Sequence, residues 1–341
     1  MIARASDSRT AVVVLNYNGL DDTLLCLESM RPLADAGHDI ILVDNGSTVD
    51  PREAASAVLP GLIYHRNPVN LGYAGGNNSG IRLALDRGAS FVLVLNNHTT
   101  VAPTIVEELR RQFDRDPSLG IVGPVVNFMD EPAAVMTDGV AFNPGPGTEF
   151  FVRIPVPPVD VDPSLVPVDI VNGCCMMVRA EVFRAVGLLD EQFFIVHEES
   201  DLCLKAGRAG FRCAVYGRTL VWHKGSSAFV RSGRQLQRYF DARNLYYLLR
   251  RHAGRVGRSR GFASTVPHYF KYCFYRYCVE QEADKPAAAR AVVDGVYDAL
   301  RGRTGPFGTG RRPGGGLISA AFAAGRSMGS SRRSPSTPVA R

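Results

Sequence analysis

The chain has 341 residues, 45% of them hydrophobic, which is enough for at least one large core and rules out disorder throughout. The formal charge of +6 belongs to the end of the chain: residues 301–341 carry eight Arg and no acid, leaving residues 1–300 at −2. That removes the simple step from a basic pI to a nucleic-acid-binding domain, and no nucleic-acid partner is expected.

The first residues, MIARASDSRT, are polar, with no apolar core of the length a secretory signal needs. No stretch of about 18 uncharged apolar residues offers a membrane span. Seven cysteines, none in C-x-x-C spacing, fit free thiols rather than a zinc module. The expected location is the cytoplasm.

From residue 10 to 123, short apolar runs alternate with helix-length amphipathic segments, the pattern of βαβ units around a parallel sheet. Strands are expected at 11–15, 39–44, 62–66, 91–95 and 120–125, with helices near 20–34, 73–88 and 103–115. Residues 124–168 are rich in Pro and Gly and suggest an inserted extended pair at 133–142 and 148–154. A second series follows: a strand within 168–180, helices at 181–187 and 198–210, then strands at 211–217 and 220–224. Residues 231–280 are basic and aromatic, with eleven Lys or Arg against Asp241 and Glu280, and read as helices at 235–252 and 266–280. The Gly, Arg, Ser and Pro content of 301–341 predicts a mostly disordered tail. The expected domains are therefore 9–230, a helical extension 231–300, and the tail.

Polar words follow the strands. Asn16-Tyr17-Asn18-Gly19 ends the first, Asp44-Asn45-Gly46-Ser47 the second, and Asn96-Asn97-His98-Thr99-Thr100 follows the fourth. In a parallel sheet the ligand crevice lies beyond the carboxyl ends of the strands, so these words share one rim. A carboxylate there accepts hydrogen bonds from a base or a ribose, although each word alone is also an ordinary turn. Asn67 to Asn78 (NPVNLGYAGGNN) precedes a helix, and its glycines permit close backbone approach to a phosphate. The spacing is not G-x-G-x-x-G, which argues against a nicotinamide cofactor. Glu198-Glu199-Ser200-Asp201 opens a later helix, where acids also simply complement the dipole. Trp222-His223-Lys224 ends a strand.

Taken as an ordered set, VVVLNYNGLDDTLLCLESM, IILVDNGST, NPVNLGYAGGNNSGIRLAL, VLVLNNHTTV, VNGCCMMVRAEVFRAVGLLDEQFF, HEESDLCLKAGRAGF and VWHKGSSAF resemble the inverting family 2 glycosyltransferases of the GT-A fold, in their rhamnosyltransferase-like branch. The words span residues 11–229. The resemblance implies an α/β fold, a GT-A-type open, mostly parallel sheet flanked by helices, with a helical C-terminal extension. It implies transfer of a sugar from a nucleotide-sugar donor, dTDP- or UDP-linked and rhamnose-like, to a hydroxyl of a glycan or lipid-linked glycan. Asn16, Asn18, Asp44, Asn45, Gly72, Asn77 and Asn97 would bind the donor. Glu199 would be the general base, with Asp201 beside it in the acidic word. A divalent metal, Mn2+ or Mg2+, is implied as cofactor. The family's aspartate in the Asn-Asn-Asp-Thr word is His98 here, so His98 and His223 are the expected metal ligands, a set that suits Mn2+ better than Mg2+; direct hydrogen bonding of His98 to the diphosphate without metal, and a weakened enzyme, are the other two readings. Two alternatives stay open: a noncatalytic nucleotide-sugar or carbohydrate binding protein, and a nucleotidyltransferase. The basic extension would either rest on an anionic membrane surface, placing the protein at the inner face of the cell membrane, or form an ordinary helical pair.

Overall fold

The structure is a computed structural model describing residues 9–145, 147, 149–225, 234–254, 261–308 and 315–330. The chain divides into two compact units, 1–143 with 149–227, and 144–148 with 228–341.

The first unit is built on strands β1 (Thr10–Asn16), β2 (Asp39–Asp44), β3 (Ile63–Arg66), β4 (Phe91–Asn96), β5 (Thr99–Val101), β6 (Leu119–Phe128), β7 (Val135–Thr137), β8 (Gly139–Phe142), β9 (Phe151–Ile154), β10 (Leu165–Val168), β11 (Cys175–Arg179) and β12 (Arg212–His223). Its helices are α1 (Leu20–Ser29), α2 (Arg31–Asp35), α3 (Arg52–Val58), α4 (Gly72–Asp86), α5 (Ile105–Arg115), α6 (Ala180–Val186) and α7 (Glu198–Arg208). The main sheet runs β10-β12-β6-β11-β4-β1-β2-β3, with β5 on β12 and β7 on β6. β4, β1, β2 and β3 are mutually parallel, as are β6 and β12. β11 lies antiparallel between β4 and β6, so the open sheet is more mixed than the βαβ rhythm alone suggests. Every residue of β1 is buried, which is why it reads as an unbroken apolar run rather than an alternating one.

Several expectations shift in detail. The helix expected over 20–34 is two helices, because Pro32 lacks the N–H that a continuous helix would use and instead sits at the start of α2. The extended pair survives as the antiparallel ladder β8–β9, while 135–137 joins β6 instead. The strand expected within 168–180 is confined to β11, and the two final strands merge into β12, whose register slips around Tyr216–Thr219. α4 packs on β1 through glycines one turn apart. A Cβ on Gly76 would lie 2.5 Å from Leu15 Cδ1, and one on Gly80 would lie 2.4 Å from Val13 Cγ1. These two glycines therefore serve helix–sheet contact rather than phosphate approach.

The second unit contains α8 (Gln235–His252), α9 (Phe262–Glu282), α10 (Pro286–Leu300) and α11 (Gly315–Ser330). α11 falls inside the segment expected to be disordered. Its Phe322 ring packs 5.6 Å from Phe274 and 5.4 Å from Tyr277, a contact that composition averaged over 301–341 conceals. Residues 331–341 lie outside the described residues. Two of the extension's cations are spent internally: Arg238 Nε donates to Glu280 Oε1 at 2.6 Å, and the fully buried Arg243 donates to Gly305 O at 2.6 Å.

Candidate active site

Register brings the strand-end words together. Asn16 pairs with Asp44 across β1–β2, Asp44 with Arg66 across β2–β3, and Leu15 with Asn96 across β1–β4. The polar residues at these carboxyl ends therefore share one rim, as a parallel sheet requires.

Burial divides them into two groups. Asp44 is completely buried: Oδ1 accepts from Asn16 Nδ2 at 2.9 Å, Oδ2 accepts from the Ser47 N–H at 3.3 Å, and Arg66 Nε stands 3.5 Å away. Asn45 is likewise buried, donating to Asn70 Oδ1 and Gly72 O and accepting from Asn67 Nδ2 and the Leu71 N–H. Asn45 thus fastens the loop 67–72 to the end of β2. Asn77 faces the interior, with Nδ2 donating back to Tyr73 O at 2.9 Å. Gly72 has φ +76°, the left-handed region that glycine enters without a Cβ clash. Asn16, Asp44, Asn45 and Asn77 are the frame.

The accessible group is Tyr17, Asn18, Asn97 and His98. Tyr17 is 50% exposed at the end of β1, and Asn18, also exposed, accepts from the Thr48 N–H at 2.9 Å. Asn97 Nδ2 donates to Thr23 Oγ1 at 2.8 Å, and its Oδ1 lies 3.2 Å from His98 Nδ1. Tyr17, Arg66 and Tyr73 were not singled out by sequence reasoning. The only signal for Tyr17 was its place inside the first rim word.

His98 and His223 meet because β5 pairs antiparallel with β12, placing His223 opposite Thr99, while the Lys224 N–H donates to His98 O at 3.0 Å. The rings meet edge to face with centroids 4.3 Å apart. The Gly225 N–H donates to His223 Nδ1 at 2.8 Å, and Nε2 lies 3.5 Å from the Asn96 amide, whose buried Oδ1 has no partner among the described residues. Burial and the neighbouring His98 push the His223 pKa down to about 3, so this imidazole is neutral. Two imidazoles beside an orphaned amide oxygen make a mixed nitrogen and oxygen donor set that fits a Mn2+-like cation. With Nδ1 accepting from Gly225, the ring proton sits on Nε2, so a cation would bind there only once that proton has moved to Nδ1 and the Gly225 contact has opened. No group of three His, Cys, Asp or Glu side chains suited to a metal gathers among the described residues.

The acids of α7 are unlike one another. Asp201 is completely buried with Lys205 Nζ 3.1 Å from Oδ2, an ion pair one turn apart within the helix. Glu198 is buried, and its Oε2 has no hydrogen-bond partner among the described residues. Burial, then the neighbouring Glu199, pushes its pKa well up. Glu199 is only half-buried and accepts from Ser200 Oγ at 2.9 Å; burial raises its pKa too, against hydrogen bonds that favour the charged form. Of the three, Glu199 combines access with a basicity raised above that of an ordinary carboxylate, which is what a general base needs.

Residues 11–187 match the family described as Glycosyl transferase family 2. The chain belongs to that family. Among curated relatives it is 27% identical over 241 residues to the low-salt glycan biosynthesis hexosyltransferase Agl10 of Haloferax volcanii, covering 69% of this chain and 74% of the relative. It is 28% identical over 225 residues to the N-acetylglucosaminyl-diphospho-decaprenol L-rhamnosyltransferase of Mycobacterium tuberculosis, covering 60% and 70%. A solved mannosyltransferase from Pyrobaculum calidifontis, in complex with GDP-Man and Mn2+, superposes with a TM-score of 0.50 at 16% identity, covering 94% of this chain and 80% of that one, a likeness of fold. As a family 2 member the chain is an inverting glycosyltransferase that moves a sugar from a nucleotide-sugar donor.

Proposed function

We propose that this family 2 glycosyltransferase moves a hexose of the rhamnose type from a dTDP- or UDP-linked donor to a hydroxyl of a glycan or lipid-linked glycan, with Glu199 as general base. The names of the relatives support the sugar and acceptor classes, since one is a rhamnosyltransferase of a diphospho-decaprenol glycan. The observation that carries the base assignment is the contrast within α7. Glu199 is half-buried with a raised pKa, whereas Asp201 is completely buried with Lys205 Nζ 3.1 Å from its Oδ2.

In this reading, the rim from Tyr17 to Asn18 receives the nucleoside, and Asp44 acts from beneath by holding Asn16 and Arg66 in place. The Glu199 carboxylate takes the proton of the acceptor hydroxyl while that oxygen forms a bond to the anomeric carbon. The bond from that carbon to the diphosphate breaks on the opposite face, and the nucleoside diphosphate leaves with the electron pair. His98, His223 and Asn96 Oδ1 would hold a divalent cation, which supplies charge neutralisation for the diphosphate. Asn97 fixes His98 through the contact to its Nδ1.

None of the described helices is long and apolar enough to cross a membrane. A lipid-linked acceptor instead implies work at the cytoplasmic membrane surface, to which the exposed Arg234, Arg250, Lys271 and Arg301 of the second unit contribute charge. The reading is tested by a thermal-shift panel of nucleotide sugars with and without Mn2+, followed by transfer to a diphospholipid-linked glycan. Stabilisation by a dTDP- or UDP-sugar, with product formed from it, is expected. Stabilisation only by purine nucleotide sugars would overturn the donor assignment.

A further inference from the structure

We infer that residues Gly72–Ala74, at the start of α4, position Glu199 by holding both the turn that precedes α7 and the backbone on which the Glu199 side chain rests. The inference deepens the proposed function and rests on Glu199 being the base.

Two contacts carry it. The Tyr73 hydroxyl donates to Gly173 O at 2.6 Å across a separation of 100 residues. Gly173 in turn lies directly against the base, because a Cβ on it would stand 3.2 Å from both Cβ and Cγ of Glu199. The hydroxyl therefore fixes the peptide that forms one wall of the Glu199 side chain. On the other side, the Ala74 N–H donates to Phe194 O at 3.1 Å, and a Cβ on Gly72 would lie 2.4 Å from that same oxygen. One turn further along α4, the Asn78 side chain donates to Leu189 O at 2.8 Å and accepts from the Leu189 N–H.

The turn so held is one the chain would not adopt unaided. Phe194, Val196 and His197 have φ of +65°, +74° and +74°, a left-handed conformation unfavourable for side chains with a Cβ and most of all for a β-branched one. Such residues persist where their surroundings over-determine them. Here the surroundings are α4 on one side and, on the other, the Phe151 ring stacked on His197 with centroids 4.9 Å apart and planes 13° from parallel. His197 immediately precedes Glu198 and Glu199, so the direction of the first turn of α7 is set by this clamp.

Tyr73 is a positioning residue. Burial raises its pKa well above that of an ordinary phenol, so it stays protonated and donates. The groups that face Glu199 are Glu198 on its own helix, Cys203 one turn on, Tyr73 from α4, and Cys174 just before β11. Only Tyr73 among them ties Glu199 to the loop assigned to the donor.

The test compares Tyr73→Phe, Gly173→Ala, Glu199→Gln and the Tyr73→Phe/Glu199→Gln double variant, reading kcat against pH and nucleoside diphosphate affinity by calorimetry. Tyr73→Phe should lower kcat by about tenfold, within the ~10²-fold that a misplacement of about 1 Å can cost, with nucleoside diphosphate affinity changed by less than about twofold. Its acid limb should move to lower pH as Glu199 gains water, and Gly173→Ala should show the same split. In the Glu199→Gln background the Tyr73→Phe loss should vanish, because the residue acts through Glu199. Wild-type kcat and pH limb in both single variants would overturn the inference, as would an undiminished Tyr73→Phe loss in the Glu199→Gln background. Near-normal turnover of Glu199→Gln itself would overturn the base assignment, an outcome separate from the other two.

Discussion

His98 and His223, 125 residues apart in sequence, meet edge to face at 4.3 Å between ring centroids, because the short strand β5 lays one against the end of β12. A nitrogen-rich pair at the rim should favour Mn2+ or Co2+ over Mg2+ in supporting transfer. Burial keeps His223 neutral down to about pH 3, so its ring proton moves to Nδ1 on cation uptake and none is released from it; ion binding should depend little on buffer ionisation enthalpy in titration calorimetry. His98→Asp should shift the preference toward Mg2+ while nucleotide binding persists. Full activity after exhaustive chelation would contradict this assignment and leave the pair as hydrogen-bond donors to the diphosphate.

Asp44 should matter twice. Asp44→Ala removes the acceptor of the Ser47 N–H and one of the two acceptors of Asn16 Nδ2, and leaves Arg66 with Asp50 and Ser47 O, so nucleoside diphosphate affinity should drop together with stability. Leaving a buried donor without an acceptor costs about 1–3 kcal/mol. Arg66, partly exposed and still partnered, adds little. Calorimetry and thermal denaturation should therefore move together; a loss of affinity at unchanged melting temperature would mean that Asp44 contacts the nucleoside directly and does not act as the frame.

The parallel core was legible because β1, β2 and β4 are buried on both faces and so appear as unbroken apolar runs. The rim words were legible for the same reason, since whatever polar residue follows such a run stands at the strand's carboxyl end. What could not be read was which polar letters face the crevice. Asn45 and Asn77 look like Asn18 in sequence, yet they spend their amides on the loop 67–72 and on helix backbone. Likewise, Asp201 sits in the same acidic word as Glu199, yet it is completely buried beside Lys205 whereas Glu199 is half-buried. Tyr73 was invisible because its partner Gly173 is remote in sequence and offers only a backbone oxygen.

Glu198 gives a stability prediction with a definite sign. Its native pKa is raised by burial and by Glu199, so the folded chain holds a proton that the unfolded chain releases. Its contribution is present below the ordinary Glu range and is lost as pH rises through the raised value. Glu198→Gln cannot ionise, so its melting temperature relative to the native protein should improve as pH rises, with a larger difference at about pH 8 than at about pH 5. An equal difference at both would contradict the buried ionisation.

Membrane contact through the second unit should be electrostatic and shallow. Sedimentation with vesicles containing anionic lipid should retain the protein at low salt and release it as salt is raised. Lys271→Glu with Arg250→Glu should weaken retention, each cation near the surface being worth about 1 kcal/mol. Retention unchanged by both reversals would assign these helices a structural role.

The central claim is that Glu199 takes the acceptor proton, and single-turnover transfer by Glu199→Gln at saturating donor tests it most directly. A loss of about 10²–10⁴-fold in rate is expected, with nucleoside diphosphate affinity intact and the acid limb of the pH profile abolished. A rate near that of the native protein, or an acid limb that survives the substitution, would contradict it.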